Sequence, residues 1–465
     1  MARGRRISTA WALGVLGSCL VVACLGTEPA HLRSRPINIV LIVVDTLRAD
    51  HLGCYGYWRD TSPAIDAFAA GATRYSRALS AAPWTVPSHG ALFTGKPPFQ
   101  HGAHTFPVDR PSTNVNPLPL DQLTLAEALR ERGYHTAAFV SNAAFLAEHW
   151  QLNQGFDEYV VERRYADELN RTIFSWLDRQ VHTEPFFLFV NYIDTHQPYN
   201  TRPRPELVKL PEEAEPHALR DELARRVMPA KGPVPSDLIE KVIAQYDTSI
   251  GNVDEQIGAL LERLHRAGLD DRTLVVITSD HGEYFGEHRL VGHSKDVYQP
   301  ALVVPLIIRA PGQIDGNVVD IPVVSNDVPH LISQALSAPL RGELAALFPD
   351  APGNHLVLVE NYYTRSKDLF NPDWGWRFNR VRRAVFDWPY KYIHSSDGRH
   401  ELYQLELDPE ESDNLIDREP GIVARLAEEL RKFDALRRTG SLKPNLAPID
   451  EELHRKLEAL GYVGD

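Results

Sequence analysis

The 465-residue chain has only three cysteines, and their positions limit what they can do. Cys19 lies inside an N-terminal apolar run, Cys24 directly follows that run, and Cys54 stands alone in the body. A disulfide framework within the body is therefore excluded. Excess basic charge is also lacking. The formal balance is −13, and without the three arginines of residues 1–23 it becomes 46 basic against 62 acidic residues, or −16. That balance argues against nucleic-acid binding, which needs a basic face. An anionic substrate must be captured by local charges rather than drawn in by the field of the whole chain. No internal repeat is visible, and beyond residue 23 no run is long and apolar enough to span a bilayer.

The N-terminus, by contrast, is strongly patterned. MARGRR is a basic leader and ISTAWALGVLGSCLVVA is a short apolar run ending in small residues, which together read as a signal peptide over residues 1–23. Val21 to Cys24, VVAC, resembles a bacterial lipobox, which implies cleavage before Cys24 and lipidation of that residue. The alternative is an uncleaved membrane anchor. The expectation is an exported protein, a periplasmic or outer-membrane lipoprotein, held to the membrane through its N-terminal lipid. Residues 24–35 read as a tether.

Strand-like and helix-like segments then alternate. INIVLIVVD (37–45), HTAAFVSN (135–142), PFFLFVNYID (185–194), TLVVITSD (273–280) and VPLIIRA (304–310) are continuous apolar runs of the kind buried on both faces of a sheet. Helical periodicity appears over 123–133, 166–180 and about 236–268. This alternation predicts an α/β fold, a large, mostly parallel sheet flanked by helices. Residues 200–235, rich in Pro, Glu and Arg, read as an inserted loop or lid. After about residue 337 strands follow one another, giving a smaller C-terminal antiparallel subdomain with a helix near 421–435. The expected layout is a catalytic domain over 36–340, the subdomain over 341–440 and a helical tail over 441–465.

Three of the inferred strands end in potential ligands: Asp45, then Asp194 and His196, then Asp280, His281 and Glu283. Ligands of open parallel sheets bind beyond the carboxyl ends of the strands. Each residue alone could be a turn former or a helix cap. Together they suggest a divalent cation with oxygen and imidazole ligands. The stretch AAPWTVPSHGALFTG (81–95) adds a helix start after a Pro turn, with Pro87 expected at the first helical position and Thr85 beside an anion-attracting N-terminus. Thr85 reads either as a nucleophile or as a cap, and we expect it to serve as both.

From Ile37 to Asp413 the chain resembles the sulfatase family of the alkaline phosphatase superfamily. The resemblance rests on NIVLIVVDTLRADHLGCYGY, PSH…LFTGKPPFQHG, ERGYHTAAFVSN, YIDTHQPY, TSDHGEYFGEHRLVGHSK and YQPALVVPLIIRAPG, in that order, and on the ending ELYQLELDPEESDNL. It implies an alkaline phosphatase/sulfatase-like fold. It places Asp45, Asp280 and His281 on metal-ligand positions and Thr46 where many members carry a further carboxylate. Thr85 falls on the nucleophile, itself a metal ligand in the family, and His196 on the residue that handles substrate or leaving group. His293 and Lys295 fall where basic residues meet the sulfuryl or phosphoryl oxygens.

The chain also departs from the family pattern. Sulfatases oxidise a Cys or Ser in C/S-x-P-S-R to formylglycine, whereas here the element is Thr85-Val86-Pro87-Ser88-His89, with His89 in place of the supporting Arg. GYHTAAFVSN lacks the family's sulfate-contacting Lys and His, and Asn142 lies near that place as an uncharged donor. Other branches of the superfamily attack phosphorus with an unmodified Thr or Ser. The expectation is one divalent ion (manganese, calcium, magnesium or zinc) and a phosphate mono- or diester hydrolase with Thr85 as nucleophile, acting on an anionic ester that includes glycans and lipid headgroups. A sulfatase acting on a sulfated glycan or aryl ester, and a metal-binding pseudoenzyme that holds an anionic glycan, are the alternatives. Glu283, Glu287 and His288 read as supporting or surface groups, Asp247 and Asp254 as exposed or ion-paired, and the Arg and aromatic residues of 374–386 either as a pocket rim or, in the preferred reading, as solvated strand edges.

Overall fold

The computed structural model describes residues 37–105, 115–180, 184–199, 202, 216–336, 344, 347, 356–362 and 366–439. The leader, Cys24, the tether, the 340/341 boundary and the C-terminal tail lie outside these residues. Among the described residues no helix is long and apolar enough to cross a membrane.

The main sheet has eight strands: β1 (Asn38–Val44), β2 (Thr73–Tyr75), β3 (His135–Val140), β4 (Glu158–Val161), β5 (Phe186–Tyr192), β6 (Thr273–Thr278), β7 (Leu306–Arg309) and β8 (Asn317–Val319). Their order across the sheet is β8-β2-β7-β6-β1-β5-β3-β4. β6, β1, β5, β3 and β4 run parallel to one another, and β7 is antiparallel to both of its neighbours. All seven residues of β1 and of β5 are buried, because helices cover both faces. Side chains alternate across β1: Val40, Ile42 and Val44 enter one core, while Ile39, Leu41 and Val43 enter the other. The first core is closed by the helices Ala166–Arg179 and Ser236–Arg266, and the second contains Val86, Leu92 and Phe93 of the helix Thr85–Thr94.

The helical patterns at 166–180 and 236–268 match these helices closely. The pattern at 123–133 yields only Leu125–Arg130, because Thr124 starts the helix with a reciprocal capping box to Glu127. Within 200–235 the loop expectation is corrected. Pro216–Val227 is a helix whose Leu223 and Val227 are buried in the first core, so part of the insert is packed structure.

The C-terminal sheet is antiparallel, in the order Val357–Asn361, Arg382–Asp387, Tyr390–Ser395, Glu401–Gln404. The helix Pro420–Thr439 packs on it through Leu426 and Leu430. A short helix, Ser366–Leu369, interrupts the expected run of strands. The reading of 374–386 as solvated edge is also overturned. Arg382 is 1% exposed, with Nε 3.2 Å from Asp296 and Nη2 2.9 Å from Glu401, and Arg380 also binds Asp296. Lys391 is buried against Glu411 in the same region. The Arg380 and Arg382 pairs with Asp296 tie the C-terminal sheet to the segment that follows β6.

Candidate active site

β6, β1 and β5 are adjacent and parallel, so their carboxyl ends bring Asp45, Asp280 and His196 to one edge of the sheet. One ligand atom from each of Asp45, Asp280 and His281 lies within 4.8 Å of the others, and all three residues are fully buried. Asp45 Oδ1 and Asp280 Oδ2 are buried with no hydrogen-bond partner, a costly state for carboxylate oxygens unless a cation faces them. His281 directs Nδ1 at the Gly282 carbonyl, 3.0 Å away, which leaves Nε2 to face the two carboxylates. Two oxygens and an imidazole nitrogen suit a borderline divalent ion. The donor set fits the group that the sequence implied.

The electrostatics agree. Burial raises both Asp45 and Asp280 to about 7 when no cation is present, and for Asp45 the neighbouring Asp280 charge adds to the effect. Asp280 is restrained by the backbone N–H groups of Thr46 and His281, at 3.1 and 2.9 Å from Oδ1. Burial holds His281 below its ordinary value, in the neutral form that binds metals.

Thr85 is the first residue of the helix Thr85–Thr94, with Trp84 at the cap position and no side-chain cap hydrogen bond. The capping role expected of Thr85 is therefore corrected. An N-cap side chain must precede the first helical residue, and Pro87, now the third helical residue, has no N–H to receive. The Thr85 hydroxyl instead faces the buried cluster, 3.5 Å from His281 Nε2. The helix end is fixed by serines that sequence reasoning passed over. Ser88 Oγ is 2.8 Å from the Ala82 carbonyl and 2.7 Å from Ser80 Oγ, and Ser80 in turn bonds the Asp280 carbonyl. Gly90 lets His101 pack on the helix, since a Cβ there would stand 2.5 Å from the imidazole.

His89 lies one turn on, with Nδ1 2.9 Å from the Thr85 carbonyl. Burial drives it down to about 3, so it is neutral and cannot supply the charge of an Arg. Thr46 contributes through its backbone. Its hydroxyl lies 2.7 Å from the Thr195 carbonyl and 2.6 Å from that of Asp45, so its one proton is donated within the chain. Its φ of 62° is the left-handed region, unusual for a β-branched residue, and this turn aims the Thr46 N–H at Asp280. Asn142 also differs from expectation: its Nδ2 donates to Asp45 Oδ2 at 2.7 Å, orienting a ligand.

His293 lies over His281, ring centroids 4.6 Å apart, and His196 lies 5.0 Å from His293. His293 donates Nδ1–H to the buried Glu283 at 3.1 Å, which makes Glu283 a supporting group rather than a surface one. Lys295 is buried and paired with Asp368 of the short C-terminal helix. Two other acids are purely structural. Asp194 accepts from the Ala166 N–H at the start of a helix. Asp254 does the same at Ala64 and Ile65. Asp247 is buried among Arg59, His51 and Tyr57.

A buried carboxylate–imidazole cluster at the carboxyl edge of a parallel sheet, with a helix N-terminus aimed into it, defines the alkaline phosphatase/sulfatase-like class of hydrolases. The sulfatase family model matches residues 37–338, and the chain belongs to the sulfatase family. It is 26% identical to the ulvan-active sulfatase of Formosa agariphila, over 82% of this chain and 77% of that one. It is 28% identical to the uncharacterized sulfatase YidJ of Escherichia coli, over 82% and 83%. The crystal structure of the phosphonate monoester hydrolase of Agrobacterium radiobacter shares the fold at a TM-score of 0.64 and 20% identity, over 90% of this chain and 98% of that one. The protein is thus a hydrolase of sulfuric or phosphoric ester bonds.

Proposed function

We propose that the chain hydrolyses phosphate esters through Thr85, with one divalent ion held by Asp45, Asp280, His281 and the Thr85 oxygen. The carrying observation is the Thr85 hydroxyl, released from capping and 3.5 Å from His281 Nε2 beside two orphaned carboxylate oxygens. A bound divalent ion lowers the pKa of a coordinated hydroxyl and offsets charge on the ester oxygens.

In this reading the Thr85 hydroxyl gives up its proton to solvent, and Oγ1 forms a bond to phosphorus as the P–O bond to the leaving group breaks. The departing oxygen takes a proton from His196, whose Nδ1 is anchored on the Gln197 carbonyl at 2.6 Å. Water then gives a proton to the neutral His196 as it attacks phosphorus, the P–Oγ1 bond breaks, and phosphate (from a diester, the phosphomonoester) departs as Thr85 Oγ1 regains a proton from solvent. His293, backed by Glu283, and Lys295 meet the non-bridging oxygens, where the charge they offset is concentrated. An unmodified threonine favours phosphorus, because formylglycine releases sulfate by elimination and a threonine ester has no such route.

The likeness to the ulvan-active sulfatase of Formosa agariphila keeps sulfate esters as the second reading. The N-terminal lipid anchor, export and the Cys24 assignment belong to the proposal as well. The test is the metal-loaded protein with 4-nitrophenyl phosphate, bis(4-nitrophenyl) phosphate and 4-nitrophenyl sulfate, beside Thr85→Ala. Phosphoester turnover that falls by about 10⁴-fold or more in the variant is expected, as for removal of other nucleophiles. Sulfate turnover alone, or turnover indifferent to Thr85, overturns the reading.

A further inference from the structure

The cations assigned to the ester oxygens are already countered by acids of this chain. His293 is bound to Glu283 at 3.1 Å, and the Lys295 ammonium is bound to Asp368, with both Lys295 and Asp368 side chains at most 10% exposed. The two carboxylates of the metal cluster would likewise offset a divalent ion. Among these groups little net positive charge remains. A dianion held there would keep one more charge without a counterpart than a monoanion would, and a buried site penalises each such charge heavily.

Asp368 belongs to a built element. Its helix, Ser366–Leu369, is closed by the following turn, where the Gly375 N–H bonds the Asn371 carbonyl at 2.8 Å. A Cβ on Gly375 would lie 2.2 Å from the Leu369 carbonyl and 3.2 Å from that of Asp368, so the turn packs directly on the carboxylate's backbone. Phe378, in the same segment, lies under the Lys295 ammonium at 5.6 Å. The C-terminal subdomain thus fixes both the position and the charge of the pair.

We propose that Asp368 is a specificity-determining residue that matches this site to monoanionic esters, so that among phosphoesters the diester is preferred over the dianionic monoester. This rests on the phosphoester reading above. It requires that removing the Asp368 charge leaves more of the Lys295 charge to offset a second negative charge.

The experiment measures kcat/KM for bis(4-nitrophenyl) phosphate and 4-nitrophenyl phosphate on the metal-loaded wild type, Asp368→Asn and Asp368→Glu. Comparing the diester-to-monoester ratio between variants cancels the intrinsic reactivities of the two substrates. Asp368→Asn is expected to shift the ratio toward the monoester by about tenfold, the scale of one unmatched charge a few ångströms away, and Asp368→Glu to retain the wild-type ratio. In a Lys295→Met background Asp368→Asn should shift it no further, which separates charge matching from a general disturbance of the fold. Thr85-dependent turnover with a ratio unchanged by Asp368→Asn, or one shifted equally without Lys295, overturns the assignment of Asp368 alone. Absence of any Thr85-dependent phosphoester turnover overturns the phosphoester reading and this assignment together.

Discussion

Neutralising a ligand carboxylate should stabilise the metal-free protein at alkaline pH, although the same change would ordinarily be expected to damage it. Asp45 is fully buried, and without a cation its carboxyl is raised from the ordinary 3.8 to about 7 by burial and by Asp280. A folded-state value above the unfolded one means that the native state binds the extra proton. The associated stability is complete below about pH 4 and is lost as pH rises through about 7. Taken alone, the gap corresponds to about 4 kcal/mol. Asp280 is raised in the same way, but its charge is one of the causes acting on Asp45, so the two contributions do not add. In chelator-treated protein, Asp45→Asn should therefore be close to neutral at pH 5 and stabilising by about 2–4 kcal/mol at pH 8. With the divalent ion present the sign should reverse, since a ligand is missing. Denaturant unfolding of both proteins at pH 5 and 8, with and without metal, measures all four differences. Metal-free Asp45→Asn losing the same stability at both pH values would refute the reasoning. Metal affinity of the wild type should likewise rise across the same interval, because binding must displace those protons.

Tyr246 supports the site from the long helix: its hydroxyl donates to the Thr46 carbonyl at 2.7 Å and accepts from the Arg48 N–H at 2.8 Å. These two bonds hold the left-handed turn that aims the Thr46 N–H at Asp280, so Tyr246→Phe should weaken metal binding by about 10–100-fold. Titration calorimetry would measure it, and an affinity unchanged within twofold would mean that the turn holds itself. Arg382→Ala should cost about 3 kcal/mol in chemical denaturation, because it breaks two buried ion pairs and leaves Asp296 to Arg380 alone. A loss below about 1 kcal/mol would restore the solvated-edge reading of that strand.

The buried strands were legible because five continuous apolar runs, each bounded by turn residues, admit little else in a chain of this length. Their relative directions were less so. VPLIIRA is as apolar as the parallel strands of the sheet, yet Leu306–Arg309 pairs antiparallel with Thr273–Thr278. Periodicity reports burial and carries no sign for chain direction. The helix Pro216–Val227 was hidden for a related reason. Its flanks are Pro- and charge-rich, and only a few of its side chains, Leu223 and Val227 among them, are buried in the core.

At the site, legibility divided between side chains that follow a strand and groups that act through the backbone or from far along the chain. Asp45, Asp280 and His281 could be read, since the end of a buried parallel strand fixes where the next residues go. Thr46 was placed at the site only through the family position of a carboxylate, and the contribution the structure adds, an N–H made available by a left-handed turn, has no signal in the sequence. Asn142 was placed near the substrate and instead orients Asp45, a difference of a few ångströms that spacing along the chain cannot resolve. Asp368 had no signal at all: it lies 73 residues beyond Lys295 on a four-residue helix without a motif. Yet its pairing bears most directly on which anions this sulfatase-family site can accept. The resemblance identifies the reactive centre, and in the proposal made above Asp368 of the C-terminal subdomain sets the charge around it. With Thr85 as the proposed nucleophile, that surrounding charge then decides between mono- and dianionic esters.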